Sequence, residues 1–169
     1  MIGAEGLRLM AGYNRWMNER LYASCATLSD EERKRDRRAF FRSIHGTLNH
    51  LLLGDRAWLG RFTGRPVPFR SLDQDLYADF AELRGQRAET DAAIEEFCRE
   101  LTDERLAAEI DYATQAGKRY RHPLGPAVLH LFNHQTHHRG QITTLLSQLG
   151  IDPGGTDVIL YYRERSAQT

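Results

Sequence analysis

The chain has 169 residues, 41% of them hydrophobic and 27% charged, which is the composition of a globular protein with an ordinary core. Its 23 Lys and Arg residues balance its 23 Asp and Glu residues, so no long-range positive field draws in a nucleic acid backbone. No segment reaches the roughly 20 apolar residues of a membrane-spanning helix, so neither a nucleic acid nor a membrane is an expected partner.

The cysteines and the N-terminus both indicate a reducing compartment. The N-terminal residues show no basic segment followed by an apolar run, as a secretory signal peptide would. Cys25 and Cys98 stand alone in amphipathic segments, and neither belongs to a CxxC pair of the kind that binds zinc. We therefore predict two small core or interface residues in a cytoplasmic protein.

Apolar residues recur at helical spacing in four long segments of the chain. Ser29 follows the first segment and caps a short polar stretch, whereas Pro66 and Pro68 open a loop after the second. Pro126 is a good first-turn residue for the fourth segment, and Gly150 follows the end of that segment. The predicted helices are residues 7–28, 40–62, 76–101 and 126–149.

Two further segments differ from these helices. Residues 110–121 alternate in short apolar and polar steps around Gly117, which predicts a small β-hairpin between the third and fourth helices. Residues 158–162 form an apolar run that we expect to pack on the body of the protein or on a partner subunit. With no repeat in the chain, residues 1–169 are predicted to form one all-α domain, an antiparallel four-helix bundle whose long connections allow crossovers.

His134 and His138 are the most informative pair of residues in the sequence. Four residues make about one helical turn, so both imidazoles leave the same side of the fourth predicted helix. They fall within its apolar stripe, beside Leu131 and Ile142. Two buried imidazoles without a shared partner would leave polar nitrogens facing a dry core, and a bound transition metal ion removes that cost. The spacing therefore predicts a metal site.

His50, in the second predicted helix, is the candidate for a third ligand. It lies at the edge of the stripe that contains Leu51 and Trp58, whereas His45 points well away and is the weaker candidate. The same side of the helix carries small residues, which leave room for an open coordination position: Gly46, Thr47, Gly54 and Ala57. Three imidazoles and a water are typical of an accessible catalytic site, whereas four protein ligands close a structural zinc site.

Several polar residues near these ligands allow more than one interpretation. His130 and His137 flank the shared face, and they are expected to support the ligands by hydrogen bonds or to lie at the surface. Asn14 interrupts the apolar stripe of the first helix, where it either hydrogen-bonds within the core or faces the metal cavity. Arg139 and Gln141 follow the last ligand. Their side chains either form hydrogen bonds and salt bridges at the end of the helix or contact the substrate.

Three motifs together resemble the DinB/YfiT-like family of metal-binding proteins. They are Tyr13-Asn14-Arg15-Trp16, His50-x7-Trp58 and Asn133-His134-x3-His138-Arg139-Gly140-Gln141. The resemblance covers nearly the whole chain, and it implies a four-helix bundle with crossover topology, often as a homodimer. It also implies one divalent transition metal ion per chain, zinc or nickel, held by His50, His134 and His138.

The resemblance leaves the activity open. The resemblance implies that some relatives are transferases or isomerases that use bacillithiol, mycothiol or glutathione, and that many others have no known activity. A metal-dependent enzyme would therefore act on a small-molecule thiol and an electrophile, or it would be a hydrolase. No carboxylate stands beside the ligands in sequence, since Asp55 lies on a different part of the helix from His50. That absence favours thiol chemistry slightly, although the third helix can supply an acidic residue in space.

The alternative to an enzyme is a non-catalytic, metal-binding stress-response protein. In such a protein the metal would stabilise the bundle, because it binds the native state and not the unfolded chain. The number of protein ligands separates the two hypotheses: an open position favours an enzyme, and a fourth protein ligand favours a structural role.

The ligand assignment leads to a first prediction. His138→Ala should abolish stoichiometric metal binding because it removes one of three ligands, whereas His130→Ala and His45→Ala should leave it unchanged. Elemental analysis of the untagged protein, purified without added metal, measures this. If the wild-type protein holds no zinc or nickel even after reloading and dialysis, the prediction of a metal site is wrong.

Overall fold

The computed structural model describes residues 2–167 and contains four long helices that pack as a bundle. These are α1 (Ala4–Ala26), α3 (Ile44–Thr63), α4 (Phe80–Glu100) and α6 (Leu124–Gln148). Shorter elements join or follow them: α2 (Asp30–Lys34), α5 (Asp103–Ala107), β1 (Glu109–Ala113), β2 (Arg119–Pro123) and α7 (Val158–Ser166). Within residues 2–167, no helix combines the length and the apolar character of a bilayer-spanning segment.

The bundle has crossover topology, as predicted. α1 packs on α4 and α6, and α3 packs on the same two helices, so α1 and α3 are diagonal to each other. The same holds for α4 and α6. The chain therefore crosses between diagonal positions twice, once through α2 and once through α5 and the hairpin.

Polar side chains divide the core into two apolar clusters. One cluster contains Leu7, Phe62, Ile94 and Leu131, and the other contains Leu21, Leu48, Leu83 and Leu146. Between them lies a buried polar layer with members from all four long helices: Asn14, Asn18, Asp55, Arg87, Asp91, Gln135 and Arg139.

The order of these layers along the chain gives the direction of each helix. The cluster with Leu7 precedes the polar layer in α1 and α6, and it follows the polar layer in α3 and α4. The neighbours α3 and α4 are therefore parallel, as are α1 and α6, and the prediction of a uniformly antiparallel bundle was wrong. Because α3 and α4 are parallel, residues 64–79 must return along the length of the bundle.

Side-chain caps decide where α3 and α4 begin. Ser43 accepts a hydrogen bond from the backbone N–H of Gly46 (2.9 Å), and Asp79 accepts one from Glu82 (2.8 Å). Both helices therefore begin later than predicted, because the apolar pattern continues through residues that precede each cap. In the segment before α3 the backbone turns at Arg42, whose φ is +64°.

The hairpin and the C-terminal segment agree with expectation. β1 and β2 pair antiparallel, with Ile110 opposite His122, and Gly117 has φ of +77° in the turn. The apolar run of residues 158–162 belongs to α7, which packs on α1 of the same chain. Tyr161 is buried there, and a Cβ at Gly12 would lie 2.2 Å from its hydroxyl, so any larger residue would displace the Tyr161 side chain from its present position.

Arg87 is the central cation of the polar layer, and its contacts lead to a second prediction. Its guanidinium lies 2.7 Å from Asp55 and 2.9 Å from Asp91, and all three side chains are buried. Arg87→Met should lower the free energy of unfolding by about 3–5 kcal/mol, because two carboxylates lose their buried counterion. Urea denaturation measures the change.

Arg99→Met is the matched control for this prediction, since Arg99 on the same helix forms an exposed ion pair with Glu96. This variant should have a much smaller effect on the unfolding free energy, because exposed pairs contribute little. Equal effects of the two substitutions would contradict a central role for Arg87.

Candidate metal centre

Three imidazoles converge between α3 and α6, at the level of the polar layer. His50 comes from α3, and His134 and His138 come from successive turns of α6. One ring nitrogen from each residue lies within 4.8 Å of the others, and the Nε2 atoms of His50 and His134 are 3.0 Å apart. Ligand distances of about 2.0–2.1 Å to a shared ion are compatible with nitrogens this close together.

Two of the rings are held in a fixed orientation by oxygen acceptors. Nδ1 of His50 lies 2.8 Å from the carbonyl oxygen of Leu72, and Nδ1 of His138 lies 2.8 Å from Oε1 of Gln141. An oxygen acceptor needs a donor, so Nδ1 carries the proton in both rings and Nε2 keeps its lone pair. Metal-binding histidines typically have such a partner on the second nitrogen.

His134 is the ring that the protein itself does not satisfy. Its Nδ1 is buried and has no hydrogen-bond partner among residues 2–167. Its Nε2 lies 3.0 Å from Nε2 of His50, within hydrogen-bond distance. Three imidazole nitrogens this close together, one of them on a ring whose other nitrogen has no partner, fit a divalent transition metal ion.

Burial keeps the three rings in the form that binds metal. It lowers the pKa of His134 to about 3, with a further decrease from the neighbouring His138 and His50. Burial also lowers the pKa of His50 and of His138. All three imidazoles are therefore neutral at pH 7, and protons do not compete with a metal there.

The packing around the cluster leaves little freedom to the rings. Phe41 stacks on His50 with ring centroids 3.7 Å apart, and its ring meets His138 edge-on at 5.4 Å. A Cβ at Gly54 would lie 3.0 Å from Cε1 of His134, so the lack of a side chain at residue 54 leaves space for the His134 ring. From the sequence, the small residues of α3 were expected to leave an open coordination position, but the space at Gly54 is filled by the imidazole of His134.

A cavity of about 650 Å³ opens beside the cluster. His50 and His138 line it together with Phe40, Phe41, Leu72, Asp73, His137 and Gln141. In the described part of the chain the cluster has three candidate ligands and no fourth His, Cys, Asp or Glu. The arrangement is that of an accessible metal centre, in which the remaining coordination position is left to water or substrate.

Asp73 is the functional candidate that sequence reasoning missed. It lies in the connection between α3 and α4, and its position in the cavity wall follows from the path of residues 64–79. A hydrogen bond from Ser71 lowers the pKa of this carboxyl group, so it is ionised at neutral pH. In the sequence, Pro66 and Pro68 indicated that this segment is a loop, but they gave no indication of a function.

The other histidines lie outside the cluster. His45 Nε2 lies 2.9 Å from the carbonyl oxygen of Tyr77, so this residue fixes the loop to α3. His130 packs edge-on against Trp58, with centroids 5.1 Å apart, and His137 lies within hydrogen-bond distance of Gln141 (3.3 Å).

The structure also shows the roles of Asn14, Asp55 and Gln141. Asn14 donates to Asp91 (3.1 Å) and accepts from Arg139, so of its two proposed roles the structure shows the hydrogen-bonded core group. Asp55 contacts Arg87 and Gln135 and is absent from the cavity lining, in agreement with its predicted position away from His50. Gln141 orients His138, as described above.

Comparison with known proteins agrees with this architecture. The sequence pattern of the DinB family matches residues 4–168, so the chain belongs to the DinB family. The chain is 26% identical over 159 residues to Protein DinB of Bacillus subtilis (strain 168), covering 88% of this chain and 89% of that protein.

Two solved structures share the fold. A DinB-like protein from Bacillus cereus ATCC 10987 aligns with a TM-score of 0.57 and 23% identity, over 82% of this chain and 89% of that one. YfiT from Bacillus subtilis aligns with a TM-score of 0.66 and 16% identity, over 90% and 92% respectively. YfiT is described as a probable metal-dependent hydrolase with an unusual four-helix bundle topology.

The lowered histidine pKa values lead to a third prediction. Because the pKa of His134 is about 3 in the folded protein and about 6.5 in the unfolded chain, the unfolded state binds more protons below pH 6.5. The stability that depends on neutral His134 is therefore present above pH 6.5 and is lost as the pH falls toward 3. In metal-free protein this loss should reach at most about 1.4 kcal/mol per pH unit.

Urea denaturation of metal-free wild type and His134→Gln, at several pH values between 7 and 4.5, measures this difference. The comparison cancels the effects of other buried groups such as Asp91, whose pKa is raised to about 6 by burial. The variant should lose less stability on acidification than the wild type. Parallel pH profiles would contradict the burial of a neutral imidazole at this position.

Proposed function

We propose that this protein is a metal-dependent hydrolase that binds one divalent transition metal ion through His50, His134 and His138. The observation that carries the proposal is a cluster of three neutral imidazoles that opens on a cavity with an ionised carboxylate in its wall. Imidazole ligands suit zinc and nickel alike, so both ions are candidates.

Each group around the cavity has a role in this proposal. The three histidines hold the ion, while the Leu72 carbonyl and Gln141 keep two of the rings in place. When bound, such an ion lowers the pKa of a coordinated water or thiol toward neutrality. The carboxylate of Asp73 accepts the proton that water gives up on attack. Phe40 and Leu72 provide an apolar wall for the substrate, and both are largely exposed.

Two observations favour this proposal over a purely structural metal. A structural zinc site is normally closed by four protein ligands, whereas this cluster has three within residues 2–167. Two of the three ligands, His50 and His138, also line a cavity large enough for a small molecule. The description of YfiT as a probable metal-dependent hydrolase supports the same function.

Transfer of a low-molecular-weight thiol is the second candidate, because the resemblance to DinB/YfiT-like proteins implies it. The cavity lining argues against a thiol that carries carboxylates, such as glutathione, since the lining contains the carboxylate of Asp73 and neither Lys nor Arg. Hydrolysis therefore ranks first. Homodimer formation, a cytoplasmic location and a role in stress remain predictions from the sequence.

Asp73 provides the fourth prediction. In protein loaded with zinc or nickel, Asp73→Asn should reduce hydrolysis about 100-fold or more while metal stoichiometry stays at one per chain, because the variant loses the proton acceptor and keeps the ligands. Rates on a panel of chromogenic esters, amides and phosphoesters, together with elemental analysis, measure both quantities.

Asp75→Asn is the matched control, since Asp75 is an exposed acid of the same loop outside the cavity lining. It should retain wild-type rates. If Asp73→Asn hydrolyses as fast as the wild type, Asp73 has no catalytic role. If the loaded protein instead joins thiols to electrophiles and hydrolyses none of the panel, the protein is a transferase.

A further inference from the structure

A second cavity lies at the other end of α3, away from the metal centre. It has a volume of about 480 Å³ and lies between the last turns of α3, residues 64–69 and strand β1. It shares no lining residue with the cavity at the metal centre. Its walls include apolar side chains from the loop, Val67 and Phe69 among them, and one cation, Arg61.

The guanidinium of Arg61 is held between two aromatic rings. Its Cζ lies 4.5 Å from the ring centroid of Trp58 and 5.1 Å from that of Tyr112. These rings are themselves in edge-on contact, with centroids 5.4 Å apart. The aromatic contacts hold the guanidinium in place, and no residue among 2–167 accepts a hydrogen bond from it.

Arg61 is partly buried and has no anionic partner in the described part of the chain. Within residues 2–167, it forms no ion pair and no hydrogen bond, although several arginines nearby do. Asp111 lines the same cavity, but its carboxylate is 2.8 Å from Arg119. Burial lowers the pKa of Arg61, which shows the cost of keeping this cation without a counterion.

Arg61 is the only Lys or Arg side chain in the described lining of this cavity. An anion beside it would supply the missing counterion, because a planar guanidinium pairs well with carboxylate or phosphate oxygens.

We propose that this cavity binds a small molecule in which a carboxylate or phosphate is attached to an apolar group. The anion pairs with Arg61, and the apolar group packs against Val67 and Phe69. The site is separate from the metal centre, and it does not depend on the hydrolase function proposed above.

The test uses three phenyl probes on the metal-loaded protein: benzoate, phenyl phosphate and the neutral benzyl alcohol. Backbone and indole N–H resonances are followed by NMR during titration. Both anionic probes should shift the resonances of Trp58, Val67 and Phe69, and benzyl alcohol should bind at least about tenfold more weakly. Comparison of the two anions shows whether carboxylate or phosphate is preferred.

Arg61→Gln should weaken binding of the anionic probes about tenfold or more, and Arg61→Lys should retain part of the affinity because it keeps the charge without the planar fork. Arg84→Gln, at an exposed position on α4, is the matched control and should bind as the wild type does. Arg61→Lys also serves as the test if Arg61→Gln does not fold.

Four outcomes would overturn the proposal. If benzyl alcohol binds as tightly as benzoate, the charge has no role. The proposal also fails if the Arg61 variants bind the anions as tightly as the wild type does, or if no probe binds at concentrations up to about 10 mM. Shifts confined to residues 72 and 73 would place the probes at the metal centre and contradict the proposed site.

Discussion

The buried ion pairs of Arg87 with Asp55 and Asp91 are the constraint on which the rest of the structure depends. A charge in the middle of a bundle is tolerated only with its partners in place, so α3 and α4 must meet at one register. Hydrogen bonds from Asn14 to Asp91 and from Gln135 to Asp55 extend the requirement to α1 and α6. An apolar core alone would permit helices to slide, whereas this layer permits one alignment.

The candidate metal centre is a consequence of that alignment. The contact between Asp55 on α3 and Gln135 on α6 places the preceding turn of α3 opposite the histidines of α6. His50 thereby meets His134, with 3.0 Å between their Nε2 atoms. The polar layer pairs both of its carboxylates with Arg87, whereas the imidazole cluster contains three nitrogen ligands within 4.8 Å of one another. The layer therefore holds the helices in register, and the cluster offers a site for a ligand.

Helix direction explains how the site acquires its remaining parts. Because α3 and α4 are parallel neighbours, residues 64–79 run along the bundle from one end to the other. On this path the chain supplies the Leu72 carbonyl to His50, Asp73 to the cavity at the metal centre, and Val67 and Phe69 to the cavity at Arg61. Hydrogen bonds from Leu76 and Tyr77 to Asn49 fix its final part to α3. One connection thus borders both proposed sites.

The sequence by itself determined the elements whose signal is local. Helical periodicity located the four long helices, alternation around Gly117 located the hairpin, and the spacing of His134 and His138 put two candidate ligands on one face of one helix. Only the tertiary structure decided that α3 and α4 run parallel, that Asn14 bonds to Asp91, and that Asp73 lies in the cavity wall. These features depend on groups that are far apart in the chain. Packing and buried charge bring these groups together, and no local periodicity in the sequence indicates it.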